Sequence, residues 1–329
     1  MKNIHRQLLK LKPYDRIVEW SKAASLPGFG GLPLYTVFVF FFQEIAREAI
    51  LNKASSLAYN FLLAVFPGII FLFTLIPYIP VDNFQEQLME LIQLALPDTA
   101  YSILQTTLED IIKRQNGGLL SAGFILCTFF ATNGLTTLMM TFNKSSLAKE
   151  SRNWLHRRTV ALALSLAVVF ALAIGITLYA GSNFLINYLR NHIDYDLKWF
   201  WPLLIKTAQW LILFGVYFFT VSLIYKFGPS STKNWRLFTP GATLATLLAM
   251  LSFSLFTFYI NNFGAYNKLY GSIGTLIVVM IWMYINALIL IIGFELNAAI
   301  ALSKQSIKIV KPRVFNSFKS SGSTFENTD

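Results

Sequence analysis

Charge is what this chain has least of. Only 13% of its 329 residues are Asp, Glu, Lys or Arg, where a soluble domain carries about 25%. Apolar residues make up 55% and aromatic ones 16%, and the mean hydropathy is +0.54. A soluble globular protein is excluded, because so much apolar surface must face lipid. Cysteine is almost missing. Cys127 stands alone inside an apolar run, which excludes a disulfide framework and a Cys-based metal site. His5, His156 and His192 lie on different segments with no ligand spacing between them, so no hydrolytic metal centre is encoded. No P-loop, Gly-x-Ser-x-Gly or His-Glu-x-x-His pattern occurs. The expectation is a protein that is not an enzyme and needs no metal or cofactor. A compact apolar segment before a small-residue cleavage site is also lacking, so no cleaved signal peptide is expected.

Long apolar runs are plentiful. A spanning helix needs about 20 apolar residues, and six runs qualify: Ser56–Tyr78, Leu119–Phe142, Thr159–Leu189, Phe200–Phe227, Pro240–Phe263 and Ser272–Leu302. The third and sixth exceed the hydrocarbon core and should tilt or project. The fold class predicted is all-α and polytopic, with six transmembrane helices over residues 54–302.

The basic residues fall on alternate sides of these runs. Residues 1–53 hold eight, 144–158 five, 226–239 three and 303–329 five, whereas 81–118, 190–199 and 264–270 hold two, two and one. Lys and Arg are retained on the cytoplasmic side during insertion, so both termini should be cytoplasmic. The net charge of +11 then reflects contact with anionic inner-leaflet lipids rather than with nucleic acid.

Three further segments have their own character. Leu32–Phe42 is too short to span and is followed at once by Gln43, Glu44, Arg47 and Glu48. Residues 32–53 therefore read as an interfacial helix, or one packed against the bundle from below, within a cytoplasmic segment 1–53. The loop 81–118 shows helical apolar spacing on both sides of Pro97 and carries six acidic residues, which predicts an extracytoplasmic helical hairpin. After Leu302, Lys304, Lys308, Lys311 and Arg313 form a basic juxtamembrane stretch, and the Ser/Gly/Thr-rich end of 303–329 is expected to be partly disordered.

Ionisable groups inside a bilayer are costly and mark function. Within the six runs the only acid is Glu295, and the only base away from a run's end is Lys206. Lys206 should snorkel to the outer surface. Glu295 should lie near the cytoplasmic end with Asn297, Asn60 and Tyr59, where hydrogen bonds from Asn60 or pairing with Arg47, Lys53 or Arg157 would hold it as a gate or a helix clamp. Asn133 and Asn286 are expected near mid-depth, lining an interior surface or bonding across helices. Pro67, followed by Gly68, permits a kink in the first span.

Two segments carry a resemblance. Ala54-Ser-Ser-Leu-Ala-Tyr-Asn-Phe-Leu-Leu-Ala-Val-Phe-Pro67 resembles the first-span motif of the YihY/BrkB family of bacterial inner-membrane proteins. Tyr270-Gly-Ser-Ile-Gly-Thr-Leu-Ile-Val-Val-Met-Ile-Trp-Met-Tyr284, continuing through Gly293-Phe-Glu-Leu-Asn-Ala298, resembles its closing signature. The pattern carries over at Tyr59, Pro67, Tyr270, Gly271, Gly274, Trp282, Gly293, Glu295 and Asn297. It departs at Phe294, where many members have a small residue, and at Asn60, where a second Tyr is common. The resemblance implies six helices with cytoplasmic termini. The family's old ribonuclease label does not transfer, because no acid–base or metal cluster is present. The expected activity is facilitated or secondary transport of a small solute. The alternatives are a lipid-handling protein and an envelope scaffold. Homo-oligomerisation is left open.

Overall fold

The computed structural model describes residues 12–26, 28–47, 50–79, 83, 85–86, 88–90, 109–110, 114–145, 150–192, 200–230, 237–262 and 265–310. They form eight α-helices: α1 (Lys12–Ala23), α2 (Leu34–Arg47), α3 (Ile50–Leu75), α4 (Gly117–Ser145), α5 (Trp154–His192), α6 (Phe200–Phe227), α7 (Pro240–Asn262) and α8 (Ala265–Val310). A 3-10 turn, Ile76–Tyr78, follows α3. Six of the eight, α3 to α8, are long and apolar enough to cross a membrane. The all-α, six-span fold is therefore as expected.

Several boundaries differ from the reading of the sequence. The first span starts at Ile50 rather than Ser56, because Lys53, Ser55 and Ser56 continue the same helix. The third starts at Trp154, so Arg157 and Arg158 belong to a helix that crosses the membrane by length and composition. Glu295 and Lys206 are thus not the only ionisable residues within the spanning helices. α8 runs on to Val310, so the tail begins as helix, and residues 311–329 lie outside those described. The hairpin expected over 81–118 falls largely outside them as well.

The chain divides into two compact units, one comprising residues 1–40 and 299–329 and the other 41–298. In the first, α1 is a helix that the sequence reading lacked. The link to α2 passes through Gly28, Gly30 and Gly31, all at positive φ. Gly30 also lies so close to the Lys304 side chain that a Cβ would collide with it. Val18, Phe29, Leu32, Leu34 and Val37 are buried there.

In the second unit α3 and α4 run antiparallel through small residues. Gly68 faces Cys127, Gly123 faces the backbone of Phe71, and Gly134 faces the ring of Phe61. Lipid is as apolar as Leu, so helices in a membrane associate through close packing at such positions rather than by hydrophobic exclusion. α3 continues through Pro67 as one helix.

The starts of α3, α5 and α7 and the ends of α4 and α6 share one end of this unit. It carries Lys53, Lys144, Arg152, Arg157, Arg158 and Lys226 and is here called the basic end. The core sits toward it: Phe142, Tyr225 and Phe294 pack together, with Phe142 and Phe294 stacked at 3.9 Å. Only 17–22% of each span's most apolar window is buried. Lipid or other chains must cover the rest.

Candidate functional site

Glu295 is fully buried beside Phe294 at the basic end of α8, and one of its carboxylate oxygens accepts a short hydrogen bond from the Ser145 hydroxyl at the end of α4. Two residues on, Asn297 accepts from the Gly241 N–H at 2.8 Å and donates to the Thr239 hydroxyl at 2.9 Å. The Thr239 hydroxyl also accepts from the Ala242 N–H at 3.3 Å. The first turn of α7 has N–H groups with no intrahelical acceptor, and this pair of side chains supplies two. The Glu-Leu-Asn-Ala run of α8 therefore holds the end of α4 with its acid and the start of α7 with its amide.

A ring of polar contacts closes the same region. Asn143 donates to Glu150 and accepts from the Ser230 N–H at 2.7 Å and hydroxyl at 3.2 Å. Glu150 accepts from the Arg152 N–H at 3.1 Å and faces its guanidinium at 3.8 Å, and Arg152 donates to the Gly228 carbonyl at 2.9 Å. The segments after α4 and α6 are thereby tied to each other. Deeper in, the Tyr225 hydroxyl donates to the Leu290 carbonyl at 2.7 Å.

Gly241 and Gly293 make the crossing of α7 over α8 close. A Cβ on Gly241 would collide with the Gly293 carbonyl, and one on Gly293 would fall 2.7 Å from the Gly241 carbonyl. Away from this crossing the helices part. A groove of about 550 Å³ opens between them, walled by Leu248, Leu251, Leu255, Phe256, Ile281 and Ile285, with Ser252 and Tyr259 as its polar positions. Trp282 lies against Phe256 at 4.3 Å. A second groove, of about 260 Å³, lies between α3 and α8, lined by Ser55, Ala58, Tyr59, Leu62, Met280, Ile281 and Tyr284. Ile281 belongs to both, so α8 presents a ridge with an apolar channel on either side.

The residues singled out from the sequence are distributed over three places. Glu295 and Asn297 are in the polar junction. Asn60 is elsewhere: it accepts from Asn133 at 2.7 Å and donates to the Ser56 carbonyl at 2.8 Å. Tyr59 is 59% exposed on the wall of the smaller groove. Asn286 donates to the Trp282 carbonyl of its own helix at 2.8 Å, whereas Asn133 donates to Asn60. Pro67 lines neither groove. Sequence reasoning missed Ser145, Glu150, Arg152, Ser230 and Thr239, which look like ordinary loop and helix-end residues. It also missed Arg158, which sits in a basic stretch beside His156 and Arg157. Among the described residues no group of three His, Cys, Asp or Glu could hold a metal ion.

Six apolar helices of spanning length, joined at one end by buried polar side chains and parted by apolar grooves, define a multi-pass membrane protein. The profile of the Virulence factor BrkB family matches residues 41–313, and the chain belongs to that family. It is 30% identical over 257 residues to the ribonuclease-like protein YfkH of Bacillus subtilis, covering 77% of this chain and 91% of that one. A UPF0761 membrane protein of Tolumonas auensis is 23% identical over 79% of this chain and 84% of its own. UPF0761 membrane protein MS0032 of Mannheimia succiniciproducens is 24% identical over 81% and 90%. No solved structure matches.

Proposed function

We propose that the chain is a transport protein of the bacterial inner membrane and that its cargo is an amphiphile with an apolar tail. The α7–α8 groove carries this reading. Its walls are aliphatic and aromatic except at Ser252 and Tyr259, and a hydrophilic solute entering it would give up more hydrogen bonds to water than those two positions could replace, at a cost of roughly 1–3 kcal/mol per unpaired polar group. An acyl chain moving there from the bilayer gives up nothing. The groove narrows to the Gly241–Gly293 crossing and the polar junction, which close it at the basic end. Tyr59, Tyr284 and Ser55 add hydroxyls to the smaller groove, where a headgroup would find partners. In this reading the basic end faces the cytoplasm, α2 lies along the interface, Glu295 and Asn297 form the closing gate, and no bond is made or broken.

Passage of a small hydrophilic solute is the second reading. Thr132, Thr136, Asn133 and Thr141 on α4 favour it, although their described hydrogen bonds stay within α4 or run to Asn60 and Arg158. Proteoliposomes separate the two. Wild type and Ile281→Trp are loaded with a mixed pool of solutes and with a fluorescent phospholipid analogue. Movement of the analogue, lost in Ile281→Trp, supports the amphiphile. Selective solute release with the analogue unmoved would replace it with the second reading.

A further inference from the structure

Arg158 points the wrong way for a basic residue at a membrane boundary. It lies four residues into α5, where a long cationic side chain ordinarily bends back toward water. Instead its guanidinium reaches along α4 to Asn133, 12 residues before that helix ends at Ser145, or about 18 Å at 1.5 Å per residue. There it meets the Asn133 carbonyl oxygen and the Phe129 backbone carbonyl, both at 3.5 Å, and stands 4.9 Å from the centre of the Phe129 ring. Those hydrogen bonds are long, since N–H···O bonds cluster near 2.9 Å. Among the described residues no carboxylate lies within ion-pair distance of Arg158. The full charge is therefore held by two stretched neutral acceptors and a ring face.

The surroundings are open on one side. Phe129 is 52% exposed, and Asn60, hydrogen-bonded to Asn133, has Ser56 exposed one turn away. Asn60, Asn133 and Arg158 thus form a polar row across α3, α4 and α5 on a flank of apolar helices. A guanidinium carries five donors in a planar fork that matches phosphate oxygens, and a cation at membrane depth calls for an anionic partner. The anion available beside such a flank is the phosphate of a phospholipid.

We propose that Arg158, steadied by Asn133 and Phe129, is the headgroup anchor of a bound anionic phospholipid whose acyl chains lie on the α3–α5 flank. The site is separate from the grooves beside α8, so it stands whether or not the chain moves amphiphiles.

Wild type, Arg158→Gln, Asn133→Asp and Asn60→Ala are purified in mild detergent from the same membranes, and retained phospholipid is counted by native mass spectrometry. Each protein is then delipidated and titrated with mixed micelles containing phosphatidylglycerol or phosphatidylcholine, or with inorganic phosphate. The wild type should retain one phospholipid per chain and bind phosphatidylglycerol in preference. Arg158→Gln should bind it on the order of tenfold more weakly, the loss expected for a charge-assisted contact. Asn133→Asp is the decisive variant, because it keeps the guanidinium and gives it an internal counter-ion. It gives up the donor that reaches Asn60, so Asn60→Ala, which loses the same hydrogen bond and keeps Asn133, is its control: Asn133→Asp should lose the lipid and Asn60→Ala retain it, which a merely structural arginine would not require. If Arg158→Gln does not fold, Asn133→Asp and its control decide. Wild type that binds no phospholipid, equal retention by Asn133→Asp, equal loss by Asn60→Ala, or binding of inorganic phosphate in place of lipid would each overturn the proposal.

Discussion

The two halves of the membrane-spanning unit use the same residue types to opposite ends. At the basic end, Phe142, Tyr225, Phe294, Ala242, Ala245, Ile291 and Ala298 are buried together, and Glu295, Asn297 and Tyr225 hydrogen-bond from one helix to another or to the residue before its start. In the other half, Phe66, Ile69, Leu72, Phe124, Ile125, Leu251, Leu255 and Phe258 are exposed, and α7 and α8 stand apart. Apolarity cannot account for the difference, because lipid satisfies Leu and Phe as well as a helix does. Between α7 and α8, what distinguishes the packed half is the small residues at the crossing and the buried hydrogen bonds beside it, the two forces that act between helices in hydrocarbon. The packed half holds the helices together, and the open half leaves the α7–α8 groove, the entry for cargo in the function proposed above.

Breaking the crossing should have the largest effect. Gly241→Leu places a side chain where the Gly293 carbonyl lies, and overpacking of this kind costs about 1–3 kcal/mol or more. Loss of monodisperse protein after detergent extraction is the expected result. Glu295→Leu comes next. It cuts the tie from α8 to the buried Ser145 hydroxyl, which is left with the Thr141 carbonyl of its own helix, for a loss of about 1 kcal/mol, visible as a lowered melting temperature that Glu295→Gln largely restores. Asn297→Ala removes an acceptor for the Gly241 N–H at the start of α7 and should cost about 1 kcal/mol, with amide exchange accelerating in the first turn of that helix. Asn286→Leu should be smallest, within about 0.5 kcal/mol, since its described bond is to its own helix. A large loss there would show that the open half is held by polar contacts too, and the contrast between the halves would fail.

The number, order and approximate ends of the spans were legible from hydropathy, because length against bilayer thickness is a strong constraint. Helix rotation was not. A helix apolar all round has no face to read, so nothing in the sequence could say that Asn133 turns toward Asn60. Arg158 was hidden by the same rule that revealed the topology, which treats a cluster of basic residues as loop. Glu295 and Asn297 stood out as polar residues in an apolar run. Their partners Ser145 and Thr239 did not, because hydroxyls at helix ends are common. The closing family motif has its physical reason in that junction: Gly293 permits the crossing, Glu295 ties α4 and Asn297 ties α7.

The most direct test of the open half is to fill it. Leu255→Trp and Ile281→Trp each add volume to the α7–α8 groove without touching the junction, and movement of a fluorescent phospholipid analogue across proteoliposomes is measured beside the wild type. The account predicts melting temperatures close to wild type and analogue movement reduced at least several-fold in both. Undiminished movement in two well-folded, groove-filled variants would contradict it.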